Sequence, residues 1–329
     1  MSAVASHWQA VALAGEIAAK PRRVLLNGLP VVLFRSARGI AALSDRCPHR
    51  LVELSKGRIV GGDVECPYHG WRFNGAGRCT AIPGLVGEVP QYAVKGYRAI
   101  EREGAVFIAD GSPADEPYVH CMQGKDMIVR RVSSSTHSSL VDAAENILDA
   151  THTHFTHAGL LRGLTAKRQI VDVEVTAGEG WVEACYTGED RQQGLVSKLL
   201  EGQRARTIGR YRHPGIAELE YWGPDGLNLA TTFHLRQADA DTVEGIAFLM
   251  GPRQRGFGLI KALAFKPMFN IALQQDRRVL KSASRNAAHW PDARAAIGPL
   301  DFLRRDIEAI VSGDMPPSAS APRRFQIEL

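Results

Sequence analysis

To about residue 115 the chain alternates short β-rich runs with turn signals. Runs 24–26 and 31–34 are separated by Asn27-Gly28-Leu29-Pro30, and residues 36–39 form a second break before the apolar run 40–43. Asn74-Gly75-Ala76-Gly77, Pro83-Gly84 and Asp110-Gly111 are further turns, the last closing the apolar run 105–108. Short strands punctuated in this way predict a small all-β domain, and 112–117 reads as a linker. The period then changes. Leu140, Ala143, Ala144, Ile147 and Leu148 recur at helical spacing and predict a helix over 140–157. Segments 170–175, 181–186, 217–222, 228–235 and 242–250 predict successive antiparallel strands, and the Arg-rich stretch 204–212 reads as a strand on the surface ahead of the alternative, a region that receives a carboxylate. The longest helix candidate is 265–282, followed by another at 299–311. The expected architecture is α+β: an all-β domain over 1–115, a mixed domain over 116–311, and a C-terminal tail over 312–329 whose Ser/Pro/Ala-rich part, 312–322, is expected as an arm or disordered.

Composition narrows the class. With 329 residues, 45% hydrophobic and 23% charged, the chain is neither disordered nor collagenous nor a coiled coil. Its apolar stretches fall short of the ~20 residues a membrane span needs. The N-terminal stretch lacks the order of a secretory signal, Glu16 interrupting its apolar part, so a cytoplasmic location is expected. A net charge of +5 is mild, and no aromatic-interleaved basic stripe points to nucleic acid. Five cysteines argue against a disulfide framework and toward metal chemistry.

Two constellations carry that chemistry. Cys47-Pro48-His49 is followed after sixteen residues by Cys66-Pro67-Tyr68-His69-Gly70-Trp71. Two Cys-plus-His pairs can close a zinc site. They can equally hold a Rieske cluster, thiolates on one iron and imidazoles on the other; spacing alone leaves both open. Cys79, Cys121 and Cys185 lack partners at ligand spacing and are expected as buried apolar thiols. Further on, His152, His154 and His157 crowd beside Glu145 and Asp149, the donor types of a non-haem Fe(II) site. His152 and His157, five apart, point about 140° away from each other on a regular helix. They can share a metal only if the helix breaks between them, whereas His154 and His157 would share a face more simply.

The first motif, C-x-H-x16-C-x2-H with proline after both cysteines and a closing His-Gly-Trp, resembles the Rieske domain of bacterial ring-hydroxylating and demethylating oxygenases. Glu145-Asn146-x2-Asp149-x2-His152-x4-His157 is similar to the iron-binding stretch of their catalytic subunits. The resemblance implies a [2Fe–2S] cluster on Cys47, His49, Cys66 and His69, then a curved antiparallel sheet wrapped on a long C-terminal helix. It implies a mononuclear Fe(II) on His152 and His157, leaving His154 beside the site or on the surface. A distant carboxylate completes the set: Asp276, preceded by Gln275 where many relatives carry Glu, with Asp292 and Asp301 as alternatives. Asp149 would bridge electron transfer and Asn146 is a candidate catalytic residue. Phe155, Phe233 and Phe248 are candidates to line an apolar substrate pocket.

In this family the route between the metals of one chain is too long, and a head-to-tail homotrimer sets one chain's cluster beside its neighbour's iron, a contact that closes into a ring. Asp149 would then accept hydrogen bonds from His69 of one chain and His152 of the next. Gly75-Ala-Gly77 lacks the setting of a dinucleotide site, so NAD(P)H would act only through a separate ferredoxin or flavin reductase, docking near Arg50, Lys56 and Arg58. The length resembles the short type that includes vanillate and dicamba O-demethylases. This implies that O2 is used to hydroxylate or oxidatively demethylate an aromatic, heterocyclic or steroid-like substrate. Ring cis-dihydroxylation, or a Rieske electron carrier with an inactive second site, are the alternative readings.

Overall fold

The structure, a computed structural model, describes residues 7–161, 168–188, 204–253 and 258–329. The chain divides into two compact units, the first running to Val119 and including Ala238–Ala240. Its described strands are β1 (Gln9–Leu13), β2 (Arg22–Leu26), β3 (Leu29–Ser36), β4 (Gly39–Ser44), β5 (Arg58–Val60), β6 (Asp63–Glu65), β7 (Arg72–Phe73), β8 (Cys79–Ala81), β9 (Gly96–Arg102) and β10 (Ala105–Ala109). They form two sheets, β1-β10-β9-β4-β3-β2 and β5-β6-β7-β8.

The composition of β3 explains how the unit is held together. Val31 and Leu33 enter one cluster with Val11, Ile17 and Val106; Val32 and Phe34 enter another with Leu43, Leu54, Val64 and Phe73. Successive side chains of a strand point to opposite faces, so a continuous apolar run marks a strand buried on both. The turn before β3 is tighter than the sequence suggests. Asn27 (φ 50°) and Gly28 (φ 76°) make it alone, the positive-φ pair of a two-residue hairpin, and Leu29 and Pro30 already pair with β2.

The second unit contains β11 (Met127–His137), α1 (Leu140–Leu148), α2 (Thr153–Thr156), β12 (Ile170–Gly178), β13 (Trp181–Thr187), β14 (Arg206–Arg212), β15 (Ile216–Gly223), β16 (Gly226–Gln237), β17 (Thr242–Pro252), α3 (Gly258–Ala287), α4 (Arg304–Ser312) and β18 (Arg323–Glu328). Its antiparallel sheet runs β11-β17-β16-β15-β14-β13-β12-β18. The helix α3 lies against β11 and β17, and α1 against β14, β15 and β16. Alternate residues of β16 (Leu229, Thr231, Phe233 and Leu235) face a cavity on the helix side.

Four expectations are corrected here. The helix expected over 140–157 ends at Leu148, because Asp149 leaves the helical conformation (ψ 115°) and accepts hydrogen bonds from Thr151 N (2.7 Å), Thr151 Oγ1 (2.6 Å) and His152 N (3.2 Å). An Asx side chain bonding the backbone ahead of it competes with helix continuation. The stretch 204–212 supplies β14, an interior strand rather than a surface one. Its Arg210, on the sheet face opposite the cavity, pairs with Glu183, Glu218 and Glu220. Cys121 is no apolar thiol: its backbone N–H donates to Thr232 Oγ1 (3.1 Å), and that hydroxyl in turn reaches its sulfur.

The tail over 312–329 is not a free arm: it packs back on the fold and its residues 323–328 form β18 of the sheet. Asp306, 1% exposed, accepts Ser318 N (2.7 Å) and Ser318 Oγ (2.8 Å) and pairs with Arg323. Then β18 lies antiparallel on β12 from Ile170↔Glu328 to Val175↔Arg323. Phe325, Ile327 and Leu329 contribute to the hydrophobic core.

Candidate metal centres

Two loops of matching construction present the Cys-plus-His pairs, one between β4 and β5, the other between β6 and β7. In the first, Leu51 N donates to Cys47 O (2.8 Å) and Cys47 N to Val52 O (2.8 Å); in the second, Gly70 N donates to Cys66 O (3.1 Å) and Cys66 N to Trp71 O (2.8 Å). Each loop closes through a left-handed residue, Leu51 (φ 59°) and Gly70 (φ 69°). Gly70 is needed twice over, since a Cβ there would also meet Pro83 Cγ at 2.9 Å. The buried carboxylate of Asp45 accepts Ser55 N (2.7 Å) and Ser55 Oγ (2.6 Å), tying down the far end of the first loop.

The donor set is graded from inside to outside. Cys47 and Cys66 are 1% and 3% exposed, whereas His49 and His69 are exposed, their ring centroids 4.6 Å apart. Trp71 stacks on His49 at 4.9 Å. Burial, reinforced by the adjoining Cys66, pushes the Cys47 thiol up to about 11, so a bound metal is what would keep that sulfur as a thiolate. Two inner thiolates and two outer imidazoles are the donors a Rieske cluster requires, one pair for each iron.

In the second unit the helix break sets His152 and His157 at the two ends of the single turn α2. Their Nε2 atoms are 3.3 Å apart. Asp276 Oδ1, from α3, lies 2.9 Å from His157 Nε2 and 3.5 Å from His152 Nε2. His152 Nδ1 stands 3.3 Å from Asp149 Oδ2, and His157 Nδ1 2.8 Å from Gln275 Oε1. Both Nδ1 atoms face acceptors, so each carries its ring's proton and each Nε2 is left as a lone pair. Asp276 Oδ1 is buried and meets no donor in hydrogen-bonding geometry. When both rings are neutral, three lone pairs thus converge, an arrangement stabilised by a cation. A proton competes for the same place: burial works against charge on His152, Asp149 and Asp276, but their hydrogen bonds outweigh it, lifting His152 to about 9 and holding both carboxyls low, so a metal must displace that proton to bind. Two histidines and one carboxylate are the donor set of non-haem Fe(II), and their ligand atoms all lie within 4.8 Å of one another. His154 is not among them. Nor are Asp292 and Asp301, and Asp301 instead accepts Gly298 N at 2.6 Å.

The triad opens on a cavity of about 200 Å³ lined mainly by apolar side chains, among them Leu219, Leu229, Phe233, Met268 and Phe269, with Asn146 and Asp149 near the triad. Of the three candidate phenylalanines only Phe233 lines it. Phe155 is 74% exposed and lies under Arg168. Phe248 is fully buried on the other sheet face, between the rings of His120 and His234, because it alternates with Ala247, which does line the cavity. Sequence reasoning missed Gln275 as a functional partner; its side-chain amide is an acceptor for His157, a role that residue type alone does not reveal. It also missed Thr151, whose hydrogen bonds to Asp149 orient that carboxylate.

The sequence profile of the Rieske [2Fe-2S] domain matches residues 7–96, and that of the vanillate O-demethylase oxygenase C-terminal domain matches 135–301. Among curated proteins, a toluene-4-sulfonate monooxygenase iron-sulfur subunit of Comamonas testosteroni is 34% identical over 87% of this chain and 89% of its own. The oxygenase component of dicamba O-demethylase from Stenotrophomonas maltophilia is 32% identical over 61% of each chain. The 4beta-methylsterol monooxygenase of Methylococcus capsulatus is 38% identical over 33% of this chain. The chain spans 31% of the length of that sterol enzyme and 61% of the dicamba enzyme. Dicamba monooxygenase bound to 3,6-dichlorosalicylic acid superposes with a TM-score of 0.79 at 21% identity, covering 93% of this chain and 96% of that one. NdmA of Pseudomonas putida CBB5 with caffeine superposes at 0.69 and 20%, covering 92% and 91%. These two structures share the fold.

Proposed function

Because the chain belongs to the Rieske oxygenases that carry a vanillate O-demethylase-type C-terminal domain, we propose that it is the terminal oxygenase of a multicomponent system that hydroxylates or oxidatively demethylates a small organic substrate. The observation that carries this reading is the convergence of His152 Nε2, His157 Nε2 and Asp276 Oδ1, all within 4.8 Å of one another, at the wall of an apolar cavity. Bound in these sites, a [2Fe–2S] cluster would supply single electrons and a mononuclear Fe(II) would activate O2.

The chain's own residues then divide the remaining work. Cys47, Cys66, His49 and His69 would hold the cluster, and His152, His157 and Asp276 the single iron. Asp149 and Gln275 each accept an Nδ1–H, which fixes ring orientation and raises the basicity of the opposite nitrogen. Apolar walls would keep water from the reacting face, and Asn146 adds an amide to the cavity lining. The cavity, about 200 Å³, compares with about 150 Å³ for one that encloses benzene, which favours a one- or two-ring substrate over a steroid. Electrons would arrive from NAD(P)H through a separate ferredoxin or flavin reductase. The working form would be a cytoplasmic head-to-tail homotrimer with Asp149 at the junction; no helix among the described residues is long and apolar enough to cross a membrane.

The test is metal content joined to turnover. Iron-replete protein should hold about three iron atoms per chain and a coloured cluster. With a surrogate reductase it should take up O2 only when a suitable aromatic or heterocyclic compound is present. About two iron atoms per chain, with no loss of iron on replacing both His152 and His157 by alanine, would mark an electron carrier instead.

A further inference from the structure

The sheet floor of the cavity carries a hydroxyl that the metal sites do not use. Thr231, on β16, is 4% exposed and lines the same cavity as the triad. Its Oγ1 is buried and meets no hydrogen-bond partner. The sheet register explains why. Thr231 pairs with Leu219 on β15 and Leu249 on β17, and Leu229 and Phe233 share its face along β16. All four neighbours are apolar, so none of them offers an acceptor. Valine has the same branched shape, suits a strand equally well and would leave no hydroxyl stranded.

Hydroxyls nearby are engaged. Thr153 and Tyr186, which also line the cavity, donate to Ala150 O (2.6 Å) and Leu148 O (3.5 Å). Thr232, next along β16 and on the opposite face, accepts from Cys121 N at 3.1 Å and donates to Glu218 Oε1 at 3.3 Å. Thr136 Oγ1 is a second hydroxyl without a partner, but Thr136 is only half-buried and stands where the cavity adjoins an open recess. Buried polar groups of native proteins are satisfied. Solvent can serve Thr231 only until a ring displaces it. A ring that brings no acceptor of its own then leaves the hydroxyl unpaired, and affinity falls.

Resting on the oxygenase reading above, we propose that Thr231 is a specificity-determining residue. Its hydroxyl donates to an uncharged acceptor, a carbonyl, ether or ring nitrogen, on the part of the substrate that lies against the sheet. The acceptor is uncharged because Leu219, Leu229, Phe233 and Leu249 offer no counter-charge, and an unpaired charge is costly to bury among them. Such a hydroxyl discriminates sharply, since a ligand lacking the acceptor forfeits a hydrogen bond and strands the donor as well.

Acetophenone and α-methylstyrene test this, because they differ only in a methylene carbon that replaces the carbonyl oxygen. Each is titrated calorimetrically, without reductant, into iron-loaded wild type and into Thr231→Val, Thr231→Ser and Thr136→Val. Comparing the ratio of the two affinities between variants cancels the unequal hydrophobicity of the probes. Thr231→Val should weaken acetophenone about tenfold without weakening α-methylstyrene. Thr231→Ser, which keeps a hydroxyl, should retain the wild-type ratio, and so should Thr136→Val. The thermal midpoint and iron content of Thr231→Val should not fall, since the lost hydroxyl bonds no protein group. An unchanged ratio in Thr231→Val overturns the proposal, as does a ratio changed by Thr136→Val instead, an equal loss of both probes, or a wild type that does not bind acetophenone. A lowered midpoint in Thr231→Val would mark a structural hydroxyl and overturn it too. Iron content and cluster absorbance of the wild type report the oxygenase reading separately. Intact metals with no effect of Thr231→Val defeat this inference and leave that reading standing; missing metals defeat that reading whichever probe binds.

Discussion

In its neutral form each imidazole of the triad donates its one ring proton to an acceptor behind it, and the lone pair in front then faces the point between His152, His157 and Asp276. Removing one acceptor tests the claim without touching a ligand. Gln275→Leu should weaken binding of the single iron about tenfold or more, while the visible spectrum of the cluster is unchanged, as read by chelator competition. Asp276→Ala goes further and should lower iron content from about three to about two per chain. Asp149→Asn retains shape and loses charge. Both metals should remain bound, by metal analysis and spectrum, while turnover collapses; normal turnover would place the bridge elsewhere.

Among the elements, the decisive one is the interruption between α1 and α2. An unbroken helix would turn His152 and His157 about 140° apart; the Asx-type bonding of Asp149 ends the helix and leaves both Nε2 atoms 3.3 Å apart. The C-terminal strand depends on a comparable polar anchor. Asp306→Ala strands the buried N–H and hydroxyl of Ser318 and should cost about 2–3 kcal/mol, seen as a thermal midpoint several degrees lower. In the sheet β5-β6-β7-β8 Glu65 joins Arg72 and Arg58 at 2.7 Å each. Arg72 first, then Arg58, holds its carboxyl below the usual range against the effect of burial. A carboxyl with a depressed folded-state value stabilises above its unfolded value near 4.3 and loses that contribution as pH falls through the folded one. Thermal midpoints followed by cluster absorbance should therefore drop on acidification between about pH 5 and 3. In Glu65→Gln the drop should be shallower, from a lower starting point.

For the whole molecule, the proposed chemistry needs a cluster and an iron within electron-transfer reach, and the family resemblance assigns that reach to neighbouring chains. Light scattering on iron-loaded protein should then give three times the 35.9 kDa chain mass. Mixing an Asp149→Asn chain with a chain lacking His69, the proposed cluster ligand, should restore part of the turnover that each lacks alone. A monomeric mass with full activity would remove the inter-chain route.

Much of this was readable from order along the chain. The paired Cys-His loops, the period-two runs of the sheet and the helical stretch bearing Asp276 are local patterns, set by spacing and residue type alone. The runs that escaped reading were those whose apolar partners are supplied from afar. Strand β11, polar over Ser133–Ser134–Ser135, is held by eleven positions of pairing with β17, and β18 takes its place through Asp306 and β12. The same distinction divides the site. Histidine count and position announced a metal, but spacing left the choice between His154 and His152 open. That choice follows from one carboxylate that bends the backbone and another that arrives from a helix more than a hundred residues later. Contacts of that kind are invisible in a linear pattern, because nothing local to either partner requires the other.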